Sequence, residues 1–201
     1  MIRVITIARE YGSGASSISR MLCDRLDWRL LDHELLTEVI RAAEGDPTGD
    51  SDLQNDPWFR QLVNGAFRGV GVRGSRWAGV GSQAVRAGVI EEAAGMGNCV
   101  VVGRGAQCIL VGYPDIFHVF LHAPLPLRLE RTIQLLGHRS DIEAVIEQND
   151  NEQADFVRTH FGVNWRAPDL YDLIVDTRHG YQAAAEAILS AAGFKTAARA
   201  Y

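Results

Sequence analysis

Lysine is almost missing from this sequence. Nineteen of its 20 basic residues are arginine, Lys195 is the single lysine, and the formal net charge over 201 residues is −5. An acidic chain is a poor general polyanion binder, so no nucleic-acid partner is expected. Arginine offers a planar fork suited to phosphate and carboxylate oxygens, although a GC-rich coding sequence gives the same bias without functional meaning. Cysteine is scarce too. Cys23, Cys99 and Cys108 are odd in number, lack metal-type spacing and sit in apolar segments, which argues against a disulfide framework or zinc site and for buried thiols in a reducing, cytoplasmic setting. No apolar run approaches the roughly 18 residues of a membrane span, and MIRVITIARE lacks a small-residue cleavage site, so neither membrane nor secretion is expected.

What is present is an alternation of short apolar runs and helix-spaced segments. Strands are predicted at 3–8, 28–31, 99–102, 116–123 and 173–176, and helices at 14–26, 34–43, 82–96, 125–136, 141–161 and 181–192. That order implies a single α/β domain spanning 1–201, with a parallel sheet and right-handed crossovers. Ligands in such sheets bind beyond the strands' carboxyl ends, where Gly12, Asp32, Arg104 and His122 fall. Residues 45–81 show no sustained period and read as a mobile insert. The tail KTAARAY reads as a frayed end.

The stretch AREYGSGASS, residues 8–17, lies between the first strand and the first helix, where a phosphate-binding loop belongs. Such a loop points consecutive amides into a concavity at a helix N-terminus, and its glycines let the chain bend tightly. Gly12, Ser13, Gly14, Ala15, Ser16 and Ser17 meet that need. Against G-x-x-x-x-G-K-[ST], however, Arg9 stands at the first glycine and Ala15 at the lysine, while Gly14 and Ser16 keep their places. Taken alone, the stretch equally suits a serine-capped helix after a tight turn. Two further stretches add weight. VVGRGAQCIL (101–110) delivers Arg104 to the sheet edge, where a guanidinium can clamp a phosphate. HAPLPLRLERT (122–132) puts Arg128 and Arg131 on one side of a helix, placed either to neutralise a phosphoryl group in flight or to pair with Glu130 or Asp141 in solvent.

Other patterns are weaker. Gly69, Gly71 and Gly74 fit G-x-G-x-x-G with no strand before them, and suit a loop whose Arg68, Arg73, Arg76 and Trp77 could close over a base. His118 and His122 share a strand face and read as packing, with His122 nearer the ligand edge. Asp46, Asp50, Asp52 and Asp56 lack the glycine and closing glutamate of a calcium loop. The loop serines have no evident histidine and carboxylate partners for a hydrolase.

The ordered set ITIAREYGSGASSISRMLCDRL, LLDHELL, NCVVVGRGAQCIL, FHVFLHAPLPLRLER and YDLIVDT resembles the cytidylate kinase-like family, relatives of the nucleoside monophosphate kinases. The branch marked by R-E-Y-G-S-G also lacks the loop lysine. The resemblance implies a P-loop three-layer α/β/α sandwich around a five-stranded parallel sheet, a helical monophosphate-binding insert, and a lid at about 125–165. It implies ATP and Mg²⁺ as cofactors, with Gly12 to Ser17 on the donor phosphates and Ser16 or Ser17 near the metal. By the same resemblance Asp32 and Arg104 hold the acceptor, and Arg128 and Arg131 are lid arginines in catalytic roles. Arg9 is placed to replace the lysine from the loop's other end. Val102 and Gly105 stand where cytidylate kinases carry aspartates beside the G-R pair, and Gln153 stands in place of a further lid arginine, with Asp150 and Arg158 as the nearest charges. The expected function is ATP-dependent phosphoryl transfer to a nucleoside monophosphate (CMP/dCMP-like) or similar small phosphate acceptor. The alternative is a catalytically lapsed nucleotide-binding regulatory module. A small-molecule nucleotide is the expected partner, and the oligomeric state stays open, a homodimer included.

Overall fold

The structure, a computed structural model, describes residues 1–46, 49–66 and 82–195. Five strands form one parallel sheet in the order β2-β3-β1-β4-β5: β1 (Val4–Arg9), β2 (Arg29–Leu31), β3 (Cys99–Val102), β4 (Ile116–His122) and β5 (Leu173–Asp176). VITIAR and CVVV are apolar at nearly every position because both faces of the inner strands are covered. On one face Ile5, Ile7, Val100, Val119 and Leu121 pack against α1 (Ala15–Leu26) and α9 (Tyr181–Ala191). On the other, Val4, Leu31, Cys99 and Val101 pack against α2 (His33–Ala43), α4 (Pro57–Gly65) and α5 (Ser82–Met96). Ala8 and Phe120 pack there with Val157 of α8 (Ile142–Phe161) and with Trp165. The result is the expected sheet with helices on both sides. Helix α6 (Ala106–Ile109) follows β3, and α7 (Leu125–Leu136) precedes α8.

Within 45–81, where no periodicity is visible, α3 (Ser51–Asn55) and α4 nevertheless form. Asp50 caps α3 through the amides of Asp52 and Leu53. Asp56 caps α4 through the Trp58 amide, and Pro57 fits the first helical turn, where no amide is needed. Phe59 and Leu62 are buried against the core, so α4 is held by packing as well as by its cap. Asp46 pairs with Arg41 and Asp56 with Arg29, which accounts for much of the acidic run without a metal. Residues 67–81, including Gly69, Gly71, Gly74, Arg68, Arg73, Arg76 and Trp77, lie outside the described residues.

The three cysteines are unpaired, Cys99 buried and the others half-buried, and burial pushes their thiols up to about 12 for Cys99 and about 11 for Cys23 and Cys108. His118 is tied to Thr6 Oγ1 through Nδ1 at 2.7 Å, a packed strand residue as the sequence suggests. Among the described residues no helix is long and apolar enough to cross a membrane, and no cluster of three His, Cys, Asp or Glu side chains could hold a metal ion.

Candidate active site

The connections from β1 and β3, neighbours in the sheet, leave toward opposite faces. α1 packs on one side and α6 on the other. A crevice therefore opens between the loops 10–14 and 103–105, at the point where ligands of open α/β sheets bind. Both loops are built from left-handed residues. Gly12 and Gly14 have φ of +78° and +92°, and Gly103, Arg104 and Gly105 have +73°, +59° and +72°. A non-glycine residue held there is strained, and such strain collects at functional sites.

The first loop presents donors. Among the described residues, the amides of Gly12, Gly14, Ala15, Ser16 and Ser17 have no backbone acceptor, whereas Ser13 donates to Glu10 O. Ser13 is buried and its Oγ has no partner among the described residues. A β-carbon on Gly12 would lie 2.8 Å from Arg128 O, and one on Gly14 would lie 2.2 Å from Cε1 of Tyr181, so only glycine fits either place. Ser16 is exposed and Ser17 half-buried on the first turn of α1.

Arg128 and Arg131 project from one side of α7, as their spacing predicts, and both reach this loop, but neither pairs with Glu130 or Asp141. Arg128 donates to Asp150 Oδ2 at 2.7 Å and to Tyr11 O at 3.1 Å. Arg131 donates to Ser13 O at 3.0 Å, to Thr177 Oγ1 and to Thr177 O, with its guanidinium 4.6 Å from the Tyr181 ring centroid. Their donors thus fix loop carbonyls rather than line an open anion site. Asp150 also accepts from the Tyr11 amide at 2.8 Å, and Arg166 spans Glu10 at 3.0 Å and Asp150 at 3.4 Å. Glu10, Arg166 and Thr177 were not singled out by sequence. Their partners lie far away along the chain, and no local spacing announces them.

Across the crevice the charge is different. A cavity of about 210 Å³ is lined by Arg9, Tyr11, Arg104, Asp150, Gln153 and Phe156. Arg9 lies over Gly103, its Nη1 2.6 Å from where a β-carbon on that glycine would stand. It therefore reaches sideways toward β3 and Arg104. Arg86 of α5 joins from above Phe156, its guanidinium carbon 5.6 Å from the ring centroid. Burial depresses all three guanidinia, and Arg104 is further depressed by Arg86 and Arg9, while Asp150 pulls Arg9 and Glu152, also on the cavity wall, pulls Arg104 the other way. Among the described residues none of the three forms an ion pair. Arginine does not shed its proton, so three partly desolvated guanidinia against two carboxylates favour an anion among them.

Asp32 closes β2 and caps α2, with Oδ1 accepting from the Leu35 amide at 3.0 Å. His33 follows it, and the pull of burial and then of Arg104, Arg86 and Arg9 holds its imidazole below the ordinary value. His122 ends β4 half-buried, and Arg158 is exposed and paired with Asp155. Of the departures from the kinase pattern, the one at Gly105 has a local cause. A side chain at Gly105 would come within 2.6 Å of Phe161, and Gln153 places a buried Nε2 without a partner among the described residues.

A parallel sheet in this order, with an amide-lined glycine loop next to an arginine-bearing cavity, defines a kinase-like α/β protein. The chain belongs to the cytidylate kinase-like family, whose profile matches residues 4–179. No curated protein matches the sequence. Among solved structures, an uncharacterized protein from Eubacterium ventriosum ATCC 27560 is 18% identical over 94% of this chain and 97% of its own, with a TM-score of 0.70. A shikimate kinase from Acinetobacter baumannii, in complex with shikimate, is 18% identical over 94% and 92%, with a TM-score of 0.53. A gluconokinase from Sinorhizobium meliloti 1021 is 17% identical over 94% and 90%, with a TM-score of 0.51. These likenesses extend the kinase-like fold to nearly the whole chain.

Proposed function

We propose that this protein transfers the γ-phosphoryl group of ATP to a small phosphate-bearing acceptor of the nucleoside monophosphate class (CMP/dCMP-like). One observation carries the reading. An amide-lined loop and a cavity holding guanidinia without an ion pair among the described residues adjoin at Tyr11, at the switch point of the sheet. Phosphoryl transfer asks a protein for position and charge rather than covalent chemistry, and these two surfaces supply both.

The free amides of Gly12, Gly14, Ala15, Ser16 and Ser17, with Ser13 Oγ, fit the donor's phosphate oxygens, and the N-terminal end of α1 favours their charge. Among the described residues no carboxylate set is present for a protein-built metal cage. Ser16, or Ser17 beside it, fits a magnesium ion that takes most of its shell from water and nucleotide phosphates, and that ion supplies charge neutralisation when bound. Arg104 and Asp32, at neighbouring strand ends, hold the acceptor. Arg9 lies between the two sides and supplies the positive charge that the missing lysine does not. Arg128 and Arg131 keep the carbonyls of Tyr11 and Ser13 turned away from the phosphates, and exchange of Arg128 from Asp150 to the transferred group would bring its charge into the reaction. The unpaired cysteines suit a cytoplasmic enzyme.

Ala15 at the lysine position favours a second reading, a nucleotide-binding module that no longer turns over. A steady-state assay with ATP and magnesium against a panel of nucleoside monophosphates separates the two. Formation of one nucleoside diphosphate, lost in Arg104→Ala, is the expected result. Bound ATP with no diphosphate from any acceptor supports the module instead.

A further inference from the structure

Two side chains at the crevice have no role in the donor–acceptor scheme above, Arg86 on α5 and His33 at the start of α2. Strand register brings them to one place. Leu31 pairs with Val101 and Ile7 with Val102, so Asp32 and His33 just beyond β2, Gly103 and Arg104 just beyond β3, and Ala8 and Arg9 at the end of β1 stand side by side. Arg86 closes the fourth side through its stack on Phe156, a residue of the cavity wall. Its Nη1 donates to Gln83 at 3.2 Å, while its buried Nε has no partner among the described residues. His33 keeps Nδ1 beside Thr37 Oγ1 at 3.2 Å.

We propose that Arg86 and His33 complete, with Arg9 and Arg104, a proton-linked subsite for a doubly charged oxyanion, and that His33 gains its proton when that oxyanion is seated. The inference rests on the phosphoryl-transfer reading only for the identity of the oxyanion, which is there the acceptor's phosphate. The charges facing His33 are Arg9 from β1, Arg86 from α5, Arg104 from the loop after β3, and Asp32 from its own N-cap. With the subsite empty, burial and then three cations, against Asp32, hold the imidazole below its ordinary value, and Asp150 and Glu152 on the cavity wall balance part of the charge of Arg9 and Arg104. A seated dianion cancels that repulsion, so the imidazolium becomes favourable and adds a fourth cation to the grip. The sign follows. Affinity for the dianion rises as pH falls through the titration range of His33 in the filled site, and levels off above it. A singly charged carboxylate offers half the compensation and couples to His33 less.

Sulfate is the probe, because it stays a dianion across this pH range whereas a phosphate monoester itself titrates near pH 6. The His33 imidazole is followed by NMR in the full chain between pH 5 and 8, with sulfate exchanged for chloride at constant ionic strength and acetate as the monoanion control. His33→Gln assigns the signal. The expected result is an upward move of the His33 titration in sulfate and a smaller one in acetate. Arg86→Gln should need about tenfold more sulfate for the same move, the scale of a lost charge-assisted hydrogen bond, with Arg86→Lys intermediate. A His33 titration in wild-type protein that ignores sulfate overturns the proposal without relying on any variant. So does an Arg86→Gln protein that responds as the parent does, or an acetate response equal to that of sulfate. Sulfate bound only at the loop 12–17 leaves His33 unmoved and counts against it. The kinase reading fails separately, by absence of turnover, and a sulfate-responsive His33 in a protein without turnover leaves the subsite standing.

Discussion

Gly14 does two things that no other residue does in its place. Its φ of +92° lies in the left-handed region, and the Tyr181 ring occupies the space of a β-carbon. Gly14→Ala therefore costs about 2 kcal/mol or more, from backbone strain plus overlap. Thermal unfolding checks this, and Tyr181→Ala in the same chain should restore the overlap part while leaving the strain. Arg128 poses a different kind of residue-scale problem. It is 8% exposed and bonded to Asp150, whose other partners are the Tyr11 amide and Arg166. Arg128→Met leaves a buried carboxylate short of its main cation and destabilises by about 3 kcal/mol, the low end for such pairs because Arg166 remains. In urea unfolding, Arg128→Met with Asp150→Asn should cost less than the sum of the two single changes. A sum that is simply additive would mean that the pair is not coupled.

At the scale of elements, the strands and most helices were legible because their signals are local. The β-branched runs 3–8 and 99–102 and the proline-led helix at 125–136 fall within a residue of where the sequence places them. Helix α4 was not read, although Asp56 and Pro57 form a start signal, because its apolar positions gain meaning only from α2 and α5 beside it. Strand β4 carries a test of its own. Burial holds His118 below its ordinary 6.5, with Asp172 pulling the other way. The unfolded chain takes up that proton near 6.5 while the folded chain resists, so the stability His118 contributes is present above pH 6.5 and is lost as pH falls below it. His118→Gln should flatten the decline in unfolding free energy between pH 7 and 5, and an unchanged slope would assign the decline to other groups, His33 among them.

At the scale of the whole molecule, the site was half legible. Gly12, Gly14 and Arg104 could be found from sequence because each follows a strand whose end can be counted. Arg86, Arg166, Glu10 and the role of Asp150 could not, since Tyr11 and Asp150 are 139 positions apart and only the fold brings them together. The missing lysine, the feature that stands out most in the sequence, is set in a crevice where Arg9, Arg86 and Arg104 are crowded without an ion pair among the described residues, with Asp150 and Glu152 as the nearby carboxylates. The central claim is that this crevice moves a phosphoryl group even so. A single-turnover experiment with protein in excess over ATP, magnesium and a nucleoside monophosphate, followed by ³¹P NMR, tests it most directly. The account predicts that the γ-phosphorus signal leaves ATP and reappears as the β-phosphorus of a nucleoside diphosphate, and that Arg104→Ala prevents it. ATP that binds yet stays intact, or that releases only inorganic phosphate with every acceptor, would contradict it.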